Sequence, residues 1–267
     1  MTSFTKFGTW NIVGKKEFFQ EGGFYYQISG HGKPLIFLHG YGVSPLSFAP
    51  IIRELSKKFL VIAPYMSSGW KKTNQEKILG FDGLVDLLAK LVDHLKFDKP
   101  LIVGYSMGSL PAIKFAIKYP KKTSSLVIAD GLSIYPAKKL WQLAKDVLIE
   151  LTKALFTLKG LKPVLSVYTD FVLNVLLHPL VVINQTRECL KAIPLGQLSS
   201  LSKETLILWG REDKILPIGL GQKLRKLLKN STLKTVNDDH IWGLKNPKAF
   251  SQEIVDFVTR KNHLPVS

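Results

Sequence analysis

Residues 101–112, LIVGYSMGSLPA, read as an apolar strand that passes into a helix through one tight turn. Leu101 to Tyr105 carries no charge. From Met107 to Tyr119 apolar residues return at helical spacing until Pro120 ends the run. At the junction stands Gly104-Tyr105-Ser106-Met107-Gly108, a G-x-S-x-G pattern, which in a strand-to-helix setting marks a nucleophile elbow. The reason is steric: a serine at such a turn is held in a strained backbone conformation, and the residues two before and two after it must leave room for strand and helix to approach. Gly104 and Gly108 meet that demand. The turn aims the Ser106 hydroxyl out of the strand end and sets the first N–H groups of the helix, Met107 among them, where an oxyanion would form.

A serine hydroxyl is a weak nucleophile until a base takes its proton, and a histidine fixed by a carboxylate is the usual base. Of the six histidines, His240 is best placed, in the polar loop Asn237 to His240 between the last strand and the final helix. Asp213 follows the apolar strand Leu206 to Trp209, so its carboxylate would leave the same sheet edge as Ser106. Glu212, Asp238 and Asp239 are rivals by proximity, and Asp130, after another strand, is a further one. His39-Gly40-Tyr41-Gly42 follows the apolar run Leu35 to Leu38, and the Tyr41 N–H is the second oxyanion donor. His39 reads as a structural, hydrogen-bonded residue.

The remaining elements repeat the same rhythm. Phe18 to Gln20 and Phe24 to Ser29 form a hairpin about Gly22 and Gly23. Strands are expected at Leu35–Leu38, Phe59–Ala63, Leu101–Tyr105, Ser125–Ala129, Thr205–Trp209 and Leu233–Val236. Helices are expected at Ser44–Ser56, Phe81–Leu95, Met107–Tyr119, Pro217–Leu228 and Pro247–Arg260, the first with Ser44 as N-cap and Pro45 at its first position. Continuous apolar strands alternating with helices predict an α/β protein with a mostly parallel sheet covered on both faces. Between Asp130 and Lys203 the pattern becomes several short helices, lysine-bearing on one side and apolar on the other, and the apolar side is expected to cover something.

The chain of 267 residues is 46% hydrophobic, enough for one large core. One cysteine, Cys189, excludes an internal disulfide and a cysteine metal cluster. The first ten residues do not read as a secretory signal, so a cytoplasmic location is expected. Leu161 to Ile183 is too interrupted to be a transmembrane helix. The formal charge of +17 is spread over lysine pairs such as Lys57-Lys58 and Lys121-Lys122, without an arginine-rich helix, so nucleic acid is not the expected partner.

Strand-HGYG, strand-GYSMGS, strand-WGREDKILP and the loop NDDH together resemble the α/β-hydrolase family, in order and spacing, over essentially the whole chain. The resemblance implies an eight-stranded sheet with helices on both faces, a core of residues 1–132 and 202–267, and a helical cap at 133–201. It assigns Ser106, Asp213 and His240 to a catalytic triad and the Tyr41 and Met107 N–H groups to the oxyanion hole. Ala63 to Trp70 departs from relatives that carry an aspartate and a glycine-rich turn there. A serine in place of aspartate at residue 106 argues against the epoxide hydrolase and haloalkane dehalogenase branches.

The reaction expected first is hydrolysis of a hydrophobic carboxylic ester through an acyl-enzyme. Tyr105, Trp141, Phe171, Leu173 and Trp242 are the residues expected at the substrate. Carbon–carbon bond hydrolysis, thioester or amide hydrolysis, and perhydrolysis use the same triad, while a non-catalytic receptor for a small hydrophobic ligand is an alternative of another class. No metal or organic cofactor is implied. Association with an anionic membrane surface is a weaker expectation, and oligomeric state is not legible.

Overall fold

The computed structural model describes residues 13–66, 80–131, 161–191 and 193–261. Eight strands form one sheet: β1 (Lys15–Phe19), β2 (Phe24–Ser29), β3 (Lys33–Leu38), β4 (Phe59–Pro64), β5 (Leu101–Tyr105), β6 (Leu126–Ala129), β7 (Thr205–Gly210) and β8 (Ser231–Val236). Their order is β1-β2-β4-β3-β5-β6-β7-β8, with β2 antiparallel to β1 and β4 and every other pairing parallel. β1 and β8 begin earlier than their apolar residues predict. Each is an edge strand whose opening residues are held by the ladder, Lys15 opposite Ile28 and Ser231 opposite Thr205, and not by burial of a large apolar side chain.

The helices are α1 (Ala49–Leu55), α2 (Phe81–His94), α3 (Ser109–Lys118), α4 (Leu161–Leu177), α5 (Pro179–Cys189), α6 (Leu195–Ser199), α7 (Gly219–Leu227), α8 (Trp242–Lys245) and α9 (Pro247–Lys261). Alternation along the strands separates two cores. Leu35 and Phe37 of β3 pack with Ile51 and Ile52 of α1 and with Phe250 and Ile254 of α9. Ile36 and Leu38 point to the opposite face, toward Leu84 and Leu88 of α2, Ile113 of α3 and Leu224 of α7. Each such side chain contributes roughly 1.5–3 kcal/mol by leaving water. Part of the positive charge is taken up between α2 and α3, where Lys114 pairs with Asp82 at 2.8 Å and Lys118 with Asp86 at 2.5 Å. These exposed pairs add little stability.

Between β6 and β7 the described residues form α4, α5 and α6. Residues 132–160, the first part of the stretch expected as a cap, lie outside the described residues. Val167 and Phe171 of α4 pack against the core, yet much of the apolar side of these helices faces away from it. In α4 the buried positions include Asp170 and Asn174, whereas Leu165, Tyr168, Leu173 and Leu176 are exposed. The polar side faces the core because it is bonded there, as described next.

Candidate active site

The turn after β5 takes the form that its two glycines allow. Ser106 has φ of +52°, a left-handed conformation that costs a non-glycine residue about 1 kcal/mol or more. A Cβ on Gly104 would lie 2.5 Å from Ser109 Cα, and one on Gly108 would lie 2.1 Å from the Leu38 carbonyl oxygen. Both neighbours are backbone, so neither can yield. The tight passage brings α3 directly onto the ends of β3 and β5 and leaves Ser106 at their carboxyl edge.

Two loops from the same edge complete a hydrogen-bonded row. His240 Nε2 lies 2.9 Å from Ser106 Oγ, and His240 Nδ1 lies 2.7 Å from Asp213 Oδ2. With a neutral imidazole, Nδ1–H donates to Asp213 and Nε2 accepts from the serine hydroxyl. Asp213 is fixed in turn, its Oδ1 accepting from the N–H groups of Ile215 at 2.9 Å and Leu216 at 2.8 Å. The rival acids are occupied elsewhere: Asp238 and Asp239 both bind Lys245, at 2.7 and 2.6 Å, and Glu212 is exposed.

Asp130 stands beside the row without joining it. It is fully buried, with φ of +44°, and its carboxylate accepts from Gly210 N at 2.8 Å and Trp242 Nε1 at 2.7 Å. One side chain thereby ties down the loop that carries Asp213 and the turn that follows His240. Burial, opposed by His240 and reinforced by the charge of Asp213, pushes the Asp130 carboxyl well above the usual carboxylate range. Asp130, Asp213 and His240 offer ligand atoms within 4.8 Å of one another, yet both His240 nitrogens and both Asp213 oxygens are already committed to hydrogen bonds.

Burial lowers the basicity of His240, but the charge and hydrogen bond of Asp213, helped by Asp130 and Asp239, outweigh it and push the imidazole up to about 9. A general base must be neutral, so the working fraction grows as pH rises. We predict that kcat/KM climbs with pH along a limb lying between 6.5, the ordinary histidine value, and about 9. A limb at or below the ordinary value would contradict this environment.

The loop His39 to Gly42 passes beside the serine, since a Cβ on Gly40 would stand 3.7 Å from Ser106 Cβ. Tyr41 follows Gly40 in this loop, and Met107 stands in the first turn of a helix, where N–H groups lack intrahelical acceptors. His39 is wholly buried and neutral: Nδ1 meets the Gly40 carbonyl at 2.9 Å, Nε2 accepts from Met66 N at 3.0 Å, and burial lowers its pKa to about 4.

The inserted helices hold this loop from above. Asp170 Oδ2 of α4 accepts from Ser44 N at 2.6 Å, Ser44 Oγ at 2.8 Å and Ser47 Oγ at 2.7 Å. Asn174 donates to the Gly42 carbonyl at 3.2 Å, Gln185 of α5 accepts from Gly42 N at 3.3 Å, and Tyr41 OH meets Thr186 Oγ1 at 2.7 Å. Sequence reading missed these partners, because each lies more than 120 residues from the loop it binds. Asp170→Ala strands several buried donors, and is expected to cost roughly 3 kcal/mol of stability. It should also lower kcat more than KM changes, by loosening the Tyr41 N–H; thermal unfolding and steady-state kinetics read both effects.

Of the residues expected at the substrate, only Phe171 lies at the loop: its ring would meet a Cβ placed on Gly42 at 2.5 Å and sits 6.0 Å from that of Tyr41. Tyr105 is corrected. Its ring is buried against Phe48 and Phe250, and its hydroxyl donates to the His240 carbonyl at 2.7 Å, so it supports the histidine loop from beneath. Trp242 is corrected likewise, being buried with its indole N–H on Asp130. Leu173 points outward from α4 and is exposed. Trp141 lies outside the described residues.

Comparison with known proteins bears on the fold. Residues 33–158 match the family model of the alpha/beta hydrolase fold. A 2-hydroxy-6-oxononadienedioate/2-hydroxy-6-oxononatrienedioate hydrolase of Pseudomonas putida is 26% identical, over 88% of this chain and 91% of that protein. Its counterpart in Escherichia coli strain K12 is also 26% identical, over 85% of this chain and 87% of that protein. Among solved structures, a meta-cleavage product hydrolase from Pseudomonas fluorescens superposes with a TM-score of 0.76 at 22% identity, covering 93% of this chain and 98% of that one. A thermophilic esterase from Thermogutta terrifontis gives 0.71 at 19% identity, covering 90% and 93%.

Proposed function

The chain is an α/β-hydrolase-fold protein, and on that basis we propose that it is a serine hydrolase cleaving the carbon–carbon bond beside a ketone. Ser106 is the nucleophile, His240 the base and then acid, and Asp213 the group that fixes the histidine tautomer. The observation that carries the serine hydrolase reading is the row from Ser106 through His240 to Asp213, with both contacts under 3 Å. The carbon–carbon reading moves ahead of the ester first expected, because it is supported by the names of relatives that match this chain over nearly their full length.

The chemistry follows from the positions of the groups. Ser106 Oγ adds to the ketone carbon as its proton passes to His240, and the Tyr41 and Met107 N–H groups receive the oxyanion. The tetrahedral centre collapses and the carbon–carbon bond breaks. Its electron pair leaves as a carbanion, which takes the proton from His240. Such a leaving group is feasible once the 2-hydroxy-2,4-dienoate has tautomerised to its 2-oxo-3-enoate form, a proton moving from the 2-hydroxyl to C5, because the charge left on C5 then spreads through the C3–C4 double bond onto the C2 carbonyl. Water, deprotonated by His240, then frees the carboxylic acid from the acyl-serine.

Ester hydrolysis is the second reading, favoured by one observation: among the described residues no lysine or arginine is buried, so no deeply set cation is seen to receive the two carboxylates of a dienedioate. An apolar ester needs none. The readings separate in one assay that sets bleaching of a 2-hydroxy-6-oxohexa-2,4-dienoate chromophore against release of p-nitrophenol from short-chain esters. A kcat/KM at least about tenfold higher for the dienoate supports the first reading. Turnover of esters alone supports the second. Turnover of both, undiminished in Ser106→Ala, refutes the assignment of the nucleophile.

A further inference from the structure

The inserted helices turn several polar side chains inward beside Val167, Phe171 and Val182, and leave most of their large apolar side chains outside. Their inward sides carry Asp170, Asn174, Gln185 and Glu188, all buried and bonded to the core, Glu188 accepting from Phe81 N at 3.0 Å. Their outward sides carry Leu165, Tyr168, Leu176, Leu180 and Ile183, with Leu176 70% and Leu180 55% exposed. Every exposed large hydrophobic side chain among the described residues falls between Leu165 and Leu195. Scattered exposed leucines are ordinary, but a continuous apolar face on two adjoining helices implies an apolar partner.

Charge points to which partner. Both acids of α4 and α5 are turned inward, while Arg187 of α5 is exposed, so the charge offered outward by the described side chains of these helices is positive. The whole chain carries +17, which opposes self-association and favours an anionic surface. Residues 165–177 and 179–189 together have the length and hydropathy of a broken membrane span, yet they meet at 109°, and no single helix among the described residues is long and apolar enough to cross. Two short helices with outward leucines, bent at His178, fit a bilayer surface rather than its interior.

We propose that the outward face of α4 and α5 is a membrane-docking surface, which seats the leucines around His178 in the interfacial region of an anionic bilayer while Arg187 meets lipid headgroups. The inference rests on the outer face of these helices and is independent of the chemistry at Ser106.

The test is co-sedimentation of the full chain with phosphatidylglycerol-rich vesicles and with pure phosphatidylcholine vesicles. Binding is expected to the anionic vesicles at low salt, weaker at high salt. The double substitution L176D/L180D should lower partitioning about a hundredfold, with thermal unfolding unchanged. Arg187→Glu, which leaves the leucines in place, should weaken binding to anionic vesicles alone. Failure to bind anionic vesicles at low salt overturns the proposal, as does binding that L176D/L180D and Arg187→Glu leave intact. If the double substitution instead breaks a dimer or lowers the unfolding temperature of a chain that never binds vesicles, the face is covered by protein and the proposal is also overturned.

Discussion

Ser106→Ala is expected to lower kcat by roughly 10⁶-fold, close to loss of all measurable turnover, whichever carbonyl substrate is used. The variant removes the only atom in the row able to form the acyl intermediate, while His240 and Asp213 keep their 2.7 Å bond. Substrate affinity should change little, since the backbone donors and the Phe171 ring remain. The fold should gain slightly in stability: alanine also resists the left-handed conformation at φ of +52°, but the partly exposed hydroxyl pointing at His240 is gone. Rapid-mixing turnover with the substrate that the native chain uses best, together with an unfolding midpoint, checks both parts.

Asp213→Asn is expected to cost about 10⁴-fold in kcat at neutral pH, through a change of tautomer rather than a change of shape. The amide oxygen can still accept from Ile215 N and Leu216 N, as Asp213 Oδ1 does at 2.9 and 2.8 Å, so the loop should hold. Toward His240 the amide then presents N–H. That favours imidazole with its proton on Nε2, where it can no longer accept from Ser106. The acid limb should also fall, because the charge of Asp213 is what outweighs burial and lifts His240 to about 9. Asp130 offers no replacement acid: its oxygens are held by Gly210 N and Trp242 Nε1. Turnover of Asp213→Asn within tenfold of native would mean that the carboxylate does not hold the tautomer.

What sequence could reveal depended on how local the physical cause is. The turn at Ser106 was legible because its requirement, two glycines around a strained serine between strand and helix, is contained in five residues. Asp213 and His240 were legible as residues following the strands β7 and β8, since a parallel sheet gathers the ends of its strands at one edge. Tyr105 and Trp242 were misread as substrate contacts because a fully apolar strand and a short helix do not say which way an aromatic ring points. Their partners, the His240 carbonyl and Asp130, are 135 and 112 residues away. A helix packed on a core ordinarily turns its apolar side inward. Asp170 and Gln185 reverse it by finding backbone and hydroxyl partners in the loop at residues 42–47, a pairing no periodicity could announce.

The measurement to make first is the reaction of the native chain with a fluorophosphonate, followed by intact mass and peptide mapping. One adduct per chain on Ser106 is predicted, forming faster as pH rises toward 9 and His240 loses its proton, and strongly slowed in Asp213→Asn. A folded chain that leaves Ser106 unmodified, or that labels at the same rate without the carboxylate of Asp213, would contradict the assignment of these three side chains to one reacting row.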